Sequence, residues 1–451
     1  MKKLAFALAL AVATLAFAAT PRDARAEYGT ADQVPAATLL LPYFEVKLDD
    51  PTGVTTSFSI NNATATAVLA HVTLWTDEGV PTFNFDVYLT GYDAQNINLR
   101  SIFDGGMLPI TADAATDPTD TISPKGPLSQ DINFPPSSMT PTVGTCEVPY
   151  ASPELTSAER RHLRTAHTGR RSDVLNGCAG ANYGDLVARG YVTVDVINTC
   201  TSLNPTDPSY FTSFTTVQNV LWGDYTISSE AQNSEIASSL VHIEACGGLQ
   251  YVGNNQGGIC SIASGDYSFY GRLNGFTATD QREPLATTFA TRFVNGGTFN
   301  GGTDLLVWRD NKKAPTGANG KHNCNKKPAW FPLSQSDVVS FDETENPADL
   351  CFLPDNVSPP IGGVQSCFPL VTQRVSTATG NPIGKPMNTP QSFGWVYLNL
   401  NHTVAGDLQP GVAQAWVESV QSASGRFAVG FQAIPFDNAS RTNPGGTILI
   451  P

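Results

Sequence analysis

The side chains able to do chemistry are scattered along the chain, and no spacing gathers them into a catalytic pattern. Six histidines stand at His71, His162, His167, His242, His322 and His402, with no obvious partner serine. The nearest text to G-x-S-x-G is Ala263-Ser264-Gly265-Asp266, which lacks a flanking glycine for the sharp nucleophile turn. H-E-x-x-H, the phosphate-binding loop and the dinucleotide fingerprint are absent. Glycoside hydrolysis needs two carboxylates roughly 5–10 Å apart across a cleft. Glu244, Glu343, Glu345 and Glu418 are candidates, yet a chain with 40 acidic residues always offers some, and ordinary surface carboxylates are the plainer reading. No catalytic residue is assigned, and the balance falls against an enzyme.

Two other groups could hold a ligand. Asp113, Asp117 and Asp120 cluster in a loop, and Asp49-Asp50 forms a turn; no cofactor is expected, and calcium is the metal that such hard oxygen ligands on loops would suit. Neither has EF-hand spacing, and the single glycine-rich run Asn295–Asp304 makes no calcium-binding solenoid. The second group is aromatic. By strand alternation Trp75 opposes Val72 and Leu74, Trp308 opposes Leu305 and Val307, Trp395 with Tyr397 opposes Val396 and Leu398, and Trp416 opposes Ala415 and Val417. A sheet face presenting aromatics away from its own core can stack on sugar rings or pack another protein. The alternative is that these sheets are covered on both faces.

The elements that must position these groups are strands. Val54–Arg100 holds three: Phe58 and Ile60, then Val68 to Leu74, then Phe83 to Leu89 recur every second residue, the period of a half-buried strand. Short turns between them make the strands antiparallel. A degraded copy returns at Thr287–Asn295 and ends at Val307-Trp308-Arg309-Asp310, matching Leu74-Trp75-Thr76-Asp77. Further strands are read at Ala37–Leu48, with Pro42 at an edge or a bulge, and at Gly190–Asn198, Val220–Ile227, Leu240–Glu244 and Val338–Phe341. Phe393–Leu400 follows, then a hairpin of Ala413–Val420 and Arg426–Ile434. Ser228–Ser239 reads as a short helix or a loop. One helix is marked by the capping box Thr156-Ser157-Ala158-Glu159 and runs to about His167, ending near Gly169. Its Arg160, Arg161 and Arg164, with Arg170 and Arg171 beyond, form the one basic island on an acidic chain. A solvated helix face is the plain reading; contact with an anion or acidic partner is the other.

The expected fold is therefore all-β: two immunoglobulin-like or jelly-roll-like antiparallel β-sandwiches with long disulfide-stapled loops and one short helix. The segments are residues 1–26 as a signal peptide, 27–108 as a first sandwich copy, 109–187 as a loop-and-helix insertion, and 188–451 as a second sandwich whose late strands could complete the first. Lys2 and Lys3, an apolar Leu4–Ala19 and the small-x-small site Ala24-Arg25-Ala26 carry the export reading. The periplasm, cell surface or extracellular space is the expected location, with no membrane span once the signal is removed. Eight cysteines fit an oxidising compartment: Cys146, Cys178, Cys200, Cys246, Cys260, Cys324, Cys351 and Cys367. A 146–178 bridge would staple the helix, and 246–260 and 351–367 are plausible neighbours. The net charge of −14 repels phosphate backbones and anionic lipid, so nucleic acid is excluded as a partner.

The runs ATLLLPYFEV, ARGYVTVDV, LWGDY, EPLATTF and GGTDLLVWRD resemble those of a group of exported bacterial β-rich proteins with no assigned activity. The resemblance extends along most of the mature chain and implies no catalytic residues. The expected function is that of a non-catalytic exported structural or binding protein at or near the cell surface. The other reading is an exported carbohydrate-binding or carbohydrate-active protein using the aromatic face, its partner a glycan or a surface protein. Self-assembly through the apolar terminal strand Thr447–Ile450 is a third.

Overall fold

Strict alternation builds strands here, and those strands pair into four antiparallel sheets. The computed structural model describes residues 34–65, 68–89, 91–109, 154–246, 262, 264–265, 267–297, 300–310, 321–324, 333–335, 337–350, 366–379, 383, 387–401, 413–423 and 427–436. Residues 1–26 (read above as a signal peptide), Asp113, Asp117, Asp120, Cys146, Cys260, Cys351, His402 and Thr447–Ile450 lie outside them.

The first half of the chain contributes β1 (Thr38–Lys47), β2 (Thr55–Asn62), β3 (Val68–Thr76), β4 (Pro81–Leu89), β5 (Ala94–Asn98) and β6 (Val187–Ile197). It continues through β7 (Leu221–Trp222), β8 (Asp224–Ser229), β9 (Ser234–Ser239) and β10 (Val241–Ile243). One sheet runs β10-β1-β6-β3-β4 and a second runs β5-β2-β8-β9, with β7 also on β2. Leu39, Leu41, Phe44 and Val46 of β1 meet Phe58, Ile60 and Ile227 of the second sheet in one apolar core. Residues 187–243 therefore pair with strands of the 27–108 segment, and the boundary expected at 188 does not separate the sheets. The reason is β6, whose residues are apolar or closely packed on both faces, so it sits between β1 and β3.

The second half contributes β11 (Thr288–Val294), β12 (Gly302–Arg309), β13 (Val338–Phe341), β14 (Pro347–Asp349) and β15 (Thr372–Ser376). The chain then forms β16 (Phe393–Asn399), β17 (Ala415–Ala423), β18 (Phe427–Gln432) and β19 (Ile434–Pro435). Their sheets run β14-β13-β16-β11-β19 and β15-β12-β17-β18, closing on Phe289, Phe293, Leu305, Val307, Val396 and Val417. The late strands hydrogen-bond within this half, while Val420 of β17 and Ala428 of β18 also pack into the first core.

The two segments ending in Trp-x-Asp occupy matching places. In each half the first strand of the segment (β2, β11) lies in an outer sheet and the next (β3, β12) crosses to an inner one. The inner sheets read β4-β3-β6-β1-β10 and β15-β12-β17-β18. Trp75 pairs with Tyr191 across β3 and β6, and Trp308 pairs with Trp416 across β12 and β17.

The inner sheets then face one another. Leu40, Trp75, Tyr191, Trp308, Val371 and Trp416 join in one cluster between them. Trp75 stacks on Tyr191 at 5.5 Å, and Trp308 meets Tyr191 edge-on at 6.0 Å. The Val371 amide donates to the Asp77 carbonyl at 3.0 Å, and the Thr372 hydroxyl donates to the Pro42 carbonyl. Pro42 lies where the register of β1 shifts between Leu41 and Phe44, so β1 holds a central position with a bulge.

Several local expectations are corrected. Residues 228–239 form the β8–β9 hairpin, because Ile227 and Ile236 pair on a buried face while the turn is polar. Besides the expected helix, Ser157–Ala166, short helical turns occur at Pro208–Ser213, Gly271–Asn274 and Ser101–Gly105. Asp207 caps the first of these by accepting from the Ser209 amide, with Pro208 in the first turn. Cys178 bonds to Cys324, so no 146–178 bridge staples the long helix. Cys200, Cys246 and Cys367 are also disulfide-bonded.

Burial separates tryptophans that alternation treats alike. Trp308→Ala should cost about 3–5 kcal/mol, and Trp395→Ala, which removes a half-buried ring stacked on Phe341, about 1 kcal/mol. Urea unfolding of both variants checks this; equal costs would contradict the burial difference.

Candidate functional site

The aromatic residues expected to contact a ligand are mostly enclosed. Trp75, Trp308, Tyr397 and Trp416 are each at most 4% exposed, and only Trp395 is half-buried. Trp75, Trp308 and Trp416 are covered by the opposite half and by loop residues such as Phe269 and Tyr270. Tyr397, on the outer-sheet strand β16, packs on Phe436. The inner aromatic face is therefore a seam and not an open platform. The Trp75 indole donates to the Thr193 hydroxyl at 2.9 Å, and that of Trp416 donates to Glu418 at 3.2 Å. A cavity of about 20 Å³ beside Trp75, Tyr191 and Trp308 has room for about one water.

Titratable groups are largely committed to internal contacts. His71 and Asp86 pair at 2.5 Å in a fully buried site, and the second Asp86 oxygen accepts from the Thr201 amide. His162 does have a serine partner, Ser172 at 2.6 Å, which sequence spacing concealed. Both are buried, and the other His162 nitrogen faces the Thr82 carbonyl, not a carboxylate. Burial pushes His167 down to about 3, so it is a neutral packing group. Glu418 departs furthest from the surface reading: it is fully buried, accepting from Tyr225, Ser238 and Trp416. Glu343 and Glu345 lie exposed in a loop, and Glu244 is half-buried. Asp50 is occupied in its own turn, accepting from the Thr52 amide and hydroxyl. Asn295 uses its side-chain oxygen on Thr303 and Thr377, so the glycine-rich connection is a structural joint. Among the described residues no three metal-ligating side chains converge.

The groove along the Ser157–Ala166 helix is chemically open. The helix starts as its capping box requires, the Thr156 hydroxyl accepting from the Glu159 amide and the Glu159 carboxylate from the Thr156 amide. It stops at Gly169, whose φ of +66° favours glycine and whose absent Cβ would lie 2.3 Å from the Ala181 carbonyl. His162, Leu163 and Ala166 face inward, which turns Arg160, Arg161 and Arg164 toward the groove. With Arg170, Asp104, Leu48 and Leu186 these side chains line an open cavity of about 560 Å³.

The pairing within this groove is incomplete. Arg164 is fixed by Asp104 and by the Leu48 carbonyl at 3.2 Å. Among the described residues, Arg160 reaches only the Asp104 carbonyl at 3.3 Å, and Arg170 only the Asp185 carbonyl at 3.2 Å. Arg161 lies 3.7 Å from Asp173 with both groups in solvent, a contact worth little. Four arginines against one aspartate leave a lining of +3 on a chain of net −14. Guanidinium forks in this arrangement suit carboxylate, sulfate or phosphate oxygens.

No family model matches the chain, and no curated protein or solved structure is significantly similar to it.

Two carboxyls give the protein a pH dependence of definite sign. Burial first, and the charge of Glu244 second, push Glu283 up to about 8. Burial likewise raises Glu418 against the pull of its hydrogen bonds. A carboxyl raised in the folded state favours folding fully below its ordinary value of 4.5, and that advantage is lost as pH rises through the folded value. Glu283→Gln should therefore flatten the fall in melting temperature between pH 5 and 8, on the order of 1–3 kcal/mol after solvent screening. Melting curves of both proteins across that range measure it; identical slopes would contradict the assignment.

Proposed function

We propose that the protein is an exported, non-catalytic binding protein that takes an anionic ligand in the arginine groove of the Ser157–Ala166 helix. The observation that carries this reading is the local reversal of charge, with Arg160 and Arg170 lacking carboxylate partners among the described residues. A purely solvating surface on so acidic a chain gains nothing from collecting arginines around a concavity. Arg164, held by Asp104, gives the groove a fixed cationic wall. Export is supported by the leader-like first 26 residues and by the Cys178–Cys324 bridge, a bond that persists in oxidising compartments. The ligand class follows from the forks: a chain bearing carboxylate or sulfate groups, such as an acidic glycan.

Dextran sulfate and neutral dextran are the discriminating probes. Calorimetric titration in about 50 mM salt should show saturable binding of the sulfated polymer alone, weakened by added salt. Combined Arg160→Ala, Arg161→Ala and Arg170→Ala should weaken it by about tenfold or more without altering circular dichroism. Undiminished binding by that variant, or no binding by the parent, overturns the proposal.

A further inference from the structure

A second cavity lies where the two halves meet, at the edge of the first core, whose Ile227 and Ile236 form part of its lining. It has about 590 Å³, within the usual range of small-molecule pockets. Its floor is an ion trio drawn from both halves. Arg374 of β15 donates through Nη1 to Glu45 of β1 at 2.6 Å and through Nε to Asp304 of β12 at 2.7 Å. The guanidinium is thereby immobilised, while its Nη2 has no protein partner among the described residues. The rim comes from the β8–β9 turn and the end of β17, and its polar side chains are hydroxyls and amides such as Ser229, Gln232 and Ser422. Ile227, Ile236 and Ala428 add an apolar strip beside them.

We infer that this seam pocket binds a neutral polyhydroxylated ligand of the size of a mono- or disaccharide. Glu45, Arg374 and Asp304 compensate one another to a net −1, so the pocket does not call for a charged ligand and repels an anion. Hydroxyl and amide rims both donate and accept, as sugar hydroxyls do, and the free Nη2 edge is a donor already held in place. The apolar strip suits the C–H face of a pyranose. This site is independent of the arginine groove: its lining, its charge and its ligand differ.

Ala231 tests the pocket without touching its ion trio. Its side chain is exposed on the rim, and its amide bonds to the Thr52 carbonyl whatever the side chain. Saturation-transfer NMR and calorimetry with a panel of neutral mono- and disaccharides should find at least one saturable ligand. Ala231→Trp should fill the cavity and weaken that ligand by about tenfold or more, leaving the melting temperature and dextran sulfate binding as in the parent. Gln232→Ala should weaken it by about three- to tenfold, as expected for one lost hydrogen bond. Saturable saccharide binding unaffected by Ala231→Trp overturns the inference, as does a panel with no saturable member. Either failure leaves the arginine groove standing, because dextran sulfate binding is read separately.

Discussion

The central strands of both inner sheets, β1, β3 and β6 in one and β12 and β17 in the other, are buried on both faces, and this constraint organises the molecule. One side of each faces its own outer sheet across an aliphatic core. The other side meets the opposite half through rings, chiefly Trp75, Tyr191, Trp308 and Trp416. Aromatic residues fit such a seam because each removes a large area from water at low entropic cost, and edge-on and stacked contacts add to it. Main-chain and ionic contacts accompany the rings, from Val371 to Asp77 and from Arg374 to Glu45. This stacking sets the β8–β9 turn beside β15 and so shapes the seam pocket, whereas the arginine groove lies where the helix packs on β4 and the Ser101–Gly105 turn.

Burying polar groups at such a seam demands compensation, and Asp195 shows how it is met. From β6 this fully buried carboxylate accepts from Thr38 of β1, from Tyr210 at 2.8 Å and from Tyr270 at 2.9 Å, beside Arg282 at 3.3 Å. Arg282 also lies 3.6 Å from Asp280. Two short helical turns and a loop are thus tied to the sheet by one ionic centre. Removing one partner would leave an uncompensated charge in a low-dielectric site, a larger loss than the pair's own net contribution. Glu418 meets the same demand differently: burial raises its pKa, with Tyr225, Ser238 and Trp416 hydrogen-bonded to it.

Local physics made much of this legible. The two-residue period of Phe58–Ile60, Val68–Leu74 and Phe83–Leu89 marks β2, β3 and β4, and the capping box marks the helix start. The matching Trp-x-Asp ends pointed to equivalent strands, and the sheet order agrees. Alternation could not say what lies above a strand's second face, because that depends on packing between distant segments. Hence Trp75 and Trp308 read as candidates for an open face. The disulfide partner of Cys178 was hidden for the same reason: Cys324 is 146 residues away in sequence. Short strands such as β5 and β15 carry too few apolar positions to show a period. Of the arginine groove, the basic island was visible, whereas the concavity and the fixing of Arg164 by Asp104 are tertiary facts.

Hydrogen exchange at the indole nitrogens tests the aromatic seam most directly. With resonances assigned by single tryptophan substitutions, Trp75, Trp308 and Trp416 should exchange only on the timescale of global opening. Trp222, 44% exposed, should exchange at once and serves as the internal reference. If Trp75 and Trp308 exchange together with Trp222 in native buffer, the inner sheets do not shield one another and the account fails.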